Sequence, residues 1–341
     1  MSRAAKKRRF TDEVVTLAHG AGGQSSSALF DAVFGPAFSN EWLDRHDDGA
    51  VLDMPMGHRL VISTDSFVVK PRRFPGGSIG HLAVHGTVND LAVMGAEPRW
   101  LTAAFVLEEG LASDELRGFV TDMAEAASAA GVAIVAGDTK VVERGAADGV
   151  YITTTGVGLR PSALQLGADL VRAGDRVVVS GPIGDHGIAI LVARGDLHLL
   201  GDIRSDTASV YPQAAALLAA APGTRWLRDP TRGGLASALN ELTRECNLGV
   251  WLDEFSLPVN PIVAGACELL GLDPLYIANE GKLVAVVPAE QAEAAREALG
   301  PHAAIVGHVA IDPPGMVVLR TAVGGTRIVD LLVGDPLPRI C

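Results

Sequence analysis

Five aspartates recur where apolar runs give way to small and polar residues: Asp48 in DDGAVL, Asp65 in STDSF, Asp90 in TVNDLAVMGA, Asp138 in AGDTK and Asp229 in RDPTRGGL. Carboxylates are hard oxygen donors. They suit Mg2+, which usually bridges one or two of them to the phosphates of a nucleotide. Ligands of open α/β sheets gather at the carboxyl ends of strands. Any one such aspartate also serves as an ordinary turn or cap residue. It is the five together that point to a metal–nucleotide site.

Two glycine-rich turns lead into helical patterns. HGAGGQSSSALFDAVF sets Gly20, Gly22 and Gly23 before an amphipathic run, where backbone N–H groups can wrap a phosphate at the helix N-terminus. The spacing is neither a P-loop nor a dinucleotide fingerprint, and a plain helix-entry turn fits equally well. DPTRGGLASALNEL repeats the logic, with Gly233 and Gly234 opening a helix just after Asp229.

HLAVHGTVNDLAVMGAEP is polar for so apolar a segment. On a helix His85 and Asn89 share a face, as do Gly86 and Asp90. His85 reads as a satisfied core histidine, whereas Asn89 and Asp90 are adjacent polar groups that need partners if buried. YIANEGKLVAVV places Asn279 and Glu280 just before a strand, and GDTKVVERG places Lys140 beside Asp138 and Thr139. A Lys–Glu pair near bound phosphate stabilises charge and moves protons. A surface ion pair is the alternative, and spacing does not say whether Lys140 and Glu280 meet.

Three cysteines form neither a CxxC pair nor an even framework, which points to a reducing compartment, the cytoplasm. Cys246 and Cys267 sit in helical apolar patterns and read as small buried hydrophobes. Cys341 is the last residue, in VGDPLPRIC, where that explanation fails. Pro336 and Pro338 favour extended backbone, so the tail from Gly334 reaches roughly 25 Å at about 3 Å per residue. Arg339 is placed to offset the effect of the terminal carboxylate on the thiol. Prenylation is excluded, because it needs three residues after the cysteine.

The elements that must position these groups alternate. GHRLVISTDSF, VAIVAGDTK and DGVYITTTGVGL read as strands, the first with polar residues at its exit and the second exiting into a Gly-Asp turn. SDELRGFVTDMAEAASAAG reads as a helix capped by Ser113 and closed by Gly131, with Leu116, Phe119, Val120, Met123 and Ala127 as its buried stripe. A polar stretch, RPSALQLGADLVRAGD, marks a boundary. Beyond it RVVVSGPIGDHG starts a second series of strands, LVAVVP, AAIVGHV and GMVVLR, alternating with helices, and a Gly-Gly hairpin follows. The pattern predicts an α/β fold in two domains, over 19–160 and 161–333, with a basic disordered arm at 1–18 and a mobile tail at 334–341.

Hydrophobic residues make up 48% of the chain and charged ones 20%, a globular balance. No apolar run reaches the roughly 20 residues of a membrane span, and no apolar stretch follows the basic start, so neither an anchor nor a signal peptide is expected. The net charge is −12. The first ten residues hold five bases and no acid, which leaves 23 bases against 40 acids in the body. An acidic body argues against nucleic acid as the main partner.

STDSFVV, TVNDLAVMGA, AGDTKVV, SGPIGDHG, DPTRGGL, ANEGK and the terminal PRIC, in that order from about His19 to Cys341, together resemble the HypE family of nickel–iron hydrogenase maturation factors. The terminal PRIC is the most specific element. The resemblance implies a two-domain fold of the PurM-like ATP-binding superfamily, with mixed sheets, a flexible C-terminal tail and dimerisation through the N-terminal domains. It implies a carbamoyl dehydratase. HypF would place a carbamoyl group on the C-terminal thiol, ATP would drive its dehydration to a thiocyanate, and the cyano group would pass to iron on HypC–HypD. Carried over by motif, Cys341 is the group carrier. Asp48, Asp65, Asp90 and Asp229 would hold Mg2+–ATP. Asn89, Asp138, Thr139 and Gly233 would lie near the nucleotide, with Gly22 and Gly23 covering phosphates across the dimer. Lys140 and Glu280 would move protons. Selenophosphate synthetase shares the superfamily, but its N-terminal glycine-rich loop carries a Cys or selenocysteine and a Lys, and HGAGGQ has neither. A non-catalytic nucleotide-binding scaffold with a docking tail is the other alternative.

Overall fold

The computed structural model describes residues 12–20, 24–45, 54–195, 202–331, 337 and 339–341. Residues 1–11 of the basic arm, Gly22, Gly23, Asp48, Gly334, Pro336 and Pro338 lie outside them; residues 12–18, expected as part of a disordered arm, are instead ordered, with Val15 buried and its N–H donating to the Leu111 carbonyl.

The first half contains α1 (Gln24–Leu29), α2 (Gly35–Phe38), β1 (His58–Phe67), the two-residue strands β2 (Arg73–Phe74) and β3 (Gly77–Ser78), α3 (Ile79–Val93), β4 (Glu97–Glu108), α4 (Ser113–Ala130), β5 (Ala133–Val142) and β6 (Val150–Pro161). Its main sheet runs β1–β6–β4–β5. β1 and β4 lie antiparallel to β6, and β5 lies parallel to β4. Side chains alternate between the faces of a strand, so each cross-strand row belongs to one face. Asp65, Thr154, Ala103 and Gly137 form one row, and Ser66, Thr153, Ala104 and Asp138 the next. Thr154 and Ala103 are buried, because α3 and α4 cover that face. The other face is left open.

α4 buries the predicted stripe, and Gly131 closes it with φ of 70°. Ser113 is not its cap. Ala112 holds that position, and the Ser113 hydroxyl is buried without a hydrogen-bond partner among the described residues. The cap side chain expected from sequence is therefore turned into the core. α3 has no polar face: apart from His81 and Asp90 its residues are buried. That is the signature of a helix covered on all sides, here by the sheet, α4 and elements of the second half. Close packing needs Gly86, where a Cβ would lie 2.8 Å from the Phe67 ring.

The second half contains β7 (Arg176–Val179), α5 (Asp185–Arg194), α6 (Tyr211–Ala220), β8 (Trp226–Arg228), α7 (Gly234–Cys246), β9 (Gly249–Asp253), α8 (Pro261–Leu270), β10 (Val284–Val287), α9 (Ala292–Leu299), β11 (Ala304–Ala310), β12 (Val317–Arg320) and β13 (Thr326–Val329). The sheet order is β13–β12–β9–β11–β7–β10–β8. Its pairs are antiparallel except β12 with β9. Leu235, Leu239 and Leu242 of α7 pack one face, with Val177, Val250 and Leu319. Residues of α6 and α9 pack the other, with Val178, Ala285 and Val287. β10 is buried along its whole length, as its unbroken apolar run requires.

The α/β content and mixed sheets agree with the expectation. Two strand exits differ. β1 continues through Asp65 to Phe67 and β5 through Asp138 to Val142, so both aspartates stand within ladders rather than turns. The described end of the tail is docked. Leu337 and Ile340 are buried in a core shared with Phe67, Ile188 and Val263.

Candidate active site

Asn89 fastens α3 to the second half. Its Oδ1 accepts the Val210 N–H at 2.8 Å, and its Nδ2 donates to the carbonyls of Ala208 at 3.0 Å and Glu280 at 3.1 Å. The next residue, Asp90, faces the sheet and accepts the Ser63 hydroxyl at 2.5 Å. Asn279 does the same service for the loop carrying Asp229. Its Oδ1 accepts the Gly184 N–H at 2.8 Å and its Nδ2 donates to the Pro230 carbonyl at 2.8 Å. Gly233, at φ of 72°, turns that loop into α7, a conformation that favours glycine.

These anchors gather acids. Burial, then Asp90, pushes the Asp229 carboxyl from 3.8 up to about 7. Asp90 is raised by burial and by Asp65, against the Ser63 hydrogen bond. Asp65 is raised by burial, with the Ser66 N–H and Arg232 opposing. Glu280 is 3% exposed and raised well above the usual range by burial first, then by Asp206, Asp229 and Asp65, with Arg232 opposing. Its Oε1 has no hydrogen-bond partner among the described residues. Carboxyls that raise one another in this way are relieved by a cation. Among the described residues no three His, Cys, Asp or Glu side chains form a ready-made metal cage.

The expected residues fall into two groups. Asp65, Asn89, Asp90, Asp229, Gly233 and Glu280 converge on the covered side of β1. Asp138 and Lys140 stand on the open face of the first sheet, where the Lys140 ammonium pairs with both Asp138 oxygens at 2.8 and 2.7 Å. Thr139 points to the covered face between them, in the row of buried Phe105 and Ile152, and its N–H donates to Asp138 at 2.8 Å. Within one chain, Lys140 and Glu280 are therefore not brought together.

Cys341 is held by its backbone. The Val68 N–H donates to the terminal carboxylate of Cys341 and the Lys70 N–H to the Arg339 carbonyl, both at 3.1 Å. Arg339 takes φ of 58°, and its guanidinium pairs with Asp148 at 2.8 Å. Its charge is thus engaged at Asp148 rather than reserved for the thiol. Cys267 is buried and its thiol pushed up to about 11 by burial, while Cys246 is half-buried. His85 is satisfied, its Nδ1 lying 3.1 Å from the Thr207 hydroxyl.

Sequence reasoning passed over Asp206, whose carboxylate accepts the Glu280 N–H at 3.1 Å and the Lys282 ammonium at 2.9 Å. It also passed over Arg232, the cation whose charge opposes the raised proton affinity of Asp65 and Glu280, although DPTRGGL contains it. The lysine after Asn-Glu-Gly was the available signal for a buried acid nearby.

Two family models match the chain: AIR synthase related protein, N-terminal domain, over residues 46–160, and AIR synthase related protein, C-terminal domain, over residues 172–318. Carbamoyl dehydratase HypE of Azotobacter vinelandii is 52% identical over 332 residues, covering 96% of this chain and 97% of that protein. Among solved structures, the hydrogenase maturation protein HypE in complex with ATP superposes with a TM-score of 0.92 at 45% identity, covering 96% of this chain and 99% of that one. A chain of a HypE–HypF complex superposes with a TM-score of 0.78 at 44% identity, covering 89% of this chain and 100% of that one.

Proposed function

The chain belongs to the HypE family of hydrogenase maturation proteins, and we propose that it is an ATP-dependent carbamoyl dehydratase acting on its own C-terminal thiol. One observation carries this reading into the chemistry of the site. The last residue is a cysteine drawn back onto the end of β1, its carboxylate bound by the N–H of Val68, three residues beyond Asp65.

An amide oxygen is a poor leaving group. Phosphoryl transfer from ATP to the oxygen of the S-carboxamide makes phosphate the leaving group. Loss of both N–H protons and departure of phosphate then leave a nitrile on sulfur, with ADP released. Such transfer needs positioning and charge neutralisation more than covalent help from the protein. Asp65, Asp90 and Asp229 would hold Mg2+, which supplies that neutralisation when bound with the nucleotide. Asn89 and Asn279 keep the loops in register. Arg232 is set to meet phosphate. Glu280 is the proton acceptor, a buried carboxyl with an oxygen awaiting a donor, and a positive charge beside it draws its proton affinity back toward the working range.

The open face of the first sheet supports a homodimer. Leu60 and Ile62 are 50% and 65% exposed there, beside two cross-strand hydroxyl pairs, Thr64 with Thr155 and Ser66 with Thr153. A second copy laid on this face buries them, and it is in that assembly that Lys140 acts, from one copy toward the site of the other. HypF is the donor that loads Cys341, and HypC–HypD the acceptor of the cyano group. The three free cysteines fit a reducing cytoplasm.

Mass spectrometry of the C-terminal peptide tests this reading. After incubation with HypF, carbamoyl phosphate and Mg2+–ATP, Cys341 gains a carbamoyl group and then loses water. ATP binding with no adduct at Cys341 would instead establish a scaffold, and selenophosphate formed from selenide would establish the synthetase.

A further inference from the structure

The His186 ring, in the first turn of α5, is wholly buried and bonded at both nitrogens. Its Nε2 lies 2.7 Å from the Ile340 carbonyl oxygen, and its Nδ1 lies 2.7 Å from the Ser205 hydroxyl. We propose that His186 is a positioning residue for the C-terminal cysteine, holding the docked tail through an Nε2–H bond to the Ile340 carbonyl while Ser205 fixes the ring at Nδ1. This rests on the reading above that Cys341 carries the reacting group.

The hydrogen-bond roles leave little freedom. A carbonyl only accepts, so Nε2 carries the proton. In the neutral ring Nδ1 then accepts, and Ser205 donates to it. The Ser205 oxygen in turn accepts the Thr207 N–H at 3.1 Å. Thr207 reaches His85 on α3 through its hydroxyl, the helix that carries Asn89 and Asp90. Asp206, between these two residues, binds the Glu280 N–H and Lys282. One short loop segment, Ser205–Thr207, thus sets the tail's anchor, the central helix and the buried acid at once. Phe74 meets the His186 ring edge-on at a centroid distance of 5.6 Å, fixing its plane. Burial lowers the affinity of His186 for a second proton, which keeps the ring neutral.

The consequence is an effect at a distance. Without the Ser205 hydroxyl, Nδ1 is a buried acceptor left without its donor, and the ring is held by the Ile340 carbonyl and the Phe74 edge alone. The Nε2–H bond to Ile340 then loses the support that fixes its direction, and the anchor loosens. The substitution responsible leaves the tail itself unaltered.

Val68 and Lys70 donate their amides to the tail, so hydrogen exchange at those two positions reads docking directly. Full-length Ser205→Ala and His186→Ala are expected to exchange there about tenfold faster than the parent, the scale of one buried hydrogen bond left unmade. Alkylation of Cys341 by iodoacetamide and single-turnover thiocyanate formation follow, the first faster and the second slower. His186→Gln presents an amide N–H to Ile340 and an amide oxygen to Ser205, and is expected to restore both. Parent-like exchange at Val68 and Lys70 in Ser205→Ala overturns the proposal, as does a Gln variant as impaired as the Ala variant. Ser205→Ala and His186→Gln keep the test decisive if His186→Ala fails to fold. Exchange judges the anchor without any chemistry. Absence of thiocyanate in the parent protein would instead overturn the dehydratase reading.

Discussion

Asn89 and Glu280 stand 191 positions apart in the chain and share a hydrogen bond, from the Asn89 Nδ2 to the Glu280 carbonyl oxygen at 3.1 Å. The same amide also binds Ala208 and Val210. A single side chain on the buried helix therefore sets where the second half's proton acceptor sits relative to Asp90, its neighbour on α3. The site is built by side chains that bind backbone across the two halves, not by one contiguous motif.

Removing that side chain should be costly. Asn89→Ala leaves the Val210 N–H and the Ala208 and Glu280 carbonyls without this partner, and each buried polar group left unpaired costs about 1–3 kcal/mol. We expect a loss of about 3 kcal/mol or more in urea unfolding. Asn89→Asp should fare no better, because it keeps the acceptor for Val210 but turns an oxygen toward two carbonyls. An unfolding midpoint unchanged in both variants would rule out this anchoring.

Asp229 makes stability depend on pH in a definite direction. Its proton affinity is raised on folding, from 3.8 to about 7, so the folded state holds a proton that the unfolded state has released. That contribution is fully present below about pH 4 and is lost as pH rises through about 7. Without nucleotide or divalent cation, Asp229→Asn should match the parent near pH 4 and exceed it at pH 8 by about 1 kcal/mol or more. Added Mg2+–ATP should then stabilise the parent more than the variant. Denaturant midpoints at the two pH values check both signs.

What the sequence disclosed and what it withheld follow from the range of the interactions. Leu116, Phe119, Val120 and Met123 were legible because a helix writes its buried stripe locally. Asp65, Asp90, Asp229 and Glu280 stood out as polar residues in apolar surroundings. Asp206 and Ser205 lie in DIRSDTASV, which has no periodicity and reads as a turn, and their importance comes wholly from distant partners. The separation of Lys140 from Glu280 was hidden for a different reason. Ending the strand at Asp138 conceals the alternation, whereas extending it to Val142 puts Asp138 and Lys140 on one face and Thr139 on the other. The docked tail needed the core around Ile188 and Val263 to be known before Leu337 and Ile340 had a place to go.

Tail docking should respond differently to two arginines. The Arg194 guanidinium donates to the Lys70 and Arg339 carbonyls, each at 2.6 Å. Charge-assisted bonds of this kind are worth about 1.5–3 kcal/mol, so Arg194→Ala should speed exchange of the Val68 and Lys70 amides by about tenfold or more. The Arg339–Asp148 pair is more than a third exposed on its arginine side, and such pairs contribute about 0.2–1 kcal/mol. Asp148→Asn should therefore speed the same exchange by no more than about fivefold. Near 1 M salt, where screening acts over about 3 Å, that difference should vanish. Equal effects from the two variants would contradict the assignment.

The open sheet face and Lys140 make one joint prediction. If a second copy covers Leu60 and Ile62, Ile62→Glu should turn a dimer into a monomer in sedimentation while leaving the fold intact, since Ile62 is 65% exposed in the single chain. Lys140 lies on that same face, on the opposite side of the sheet from Asp65, so its action on the site must cross between copies. Lys140→Ala and Cys341→Ala should each abolish thiocyanate formation as homodimers. Co-expressed, they form mixed dimers in which the lysine of the Cys341→Ala copy faces the cysteine of the Lys140→Ala copy, and thiocyanate should reappear on the latter. A lysine acting within its own chain gives no such rescue, because neither copy then holds both residues. Mass spectrometry of the C-terminal peptide from the mixed dimer decides between the two arrangements.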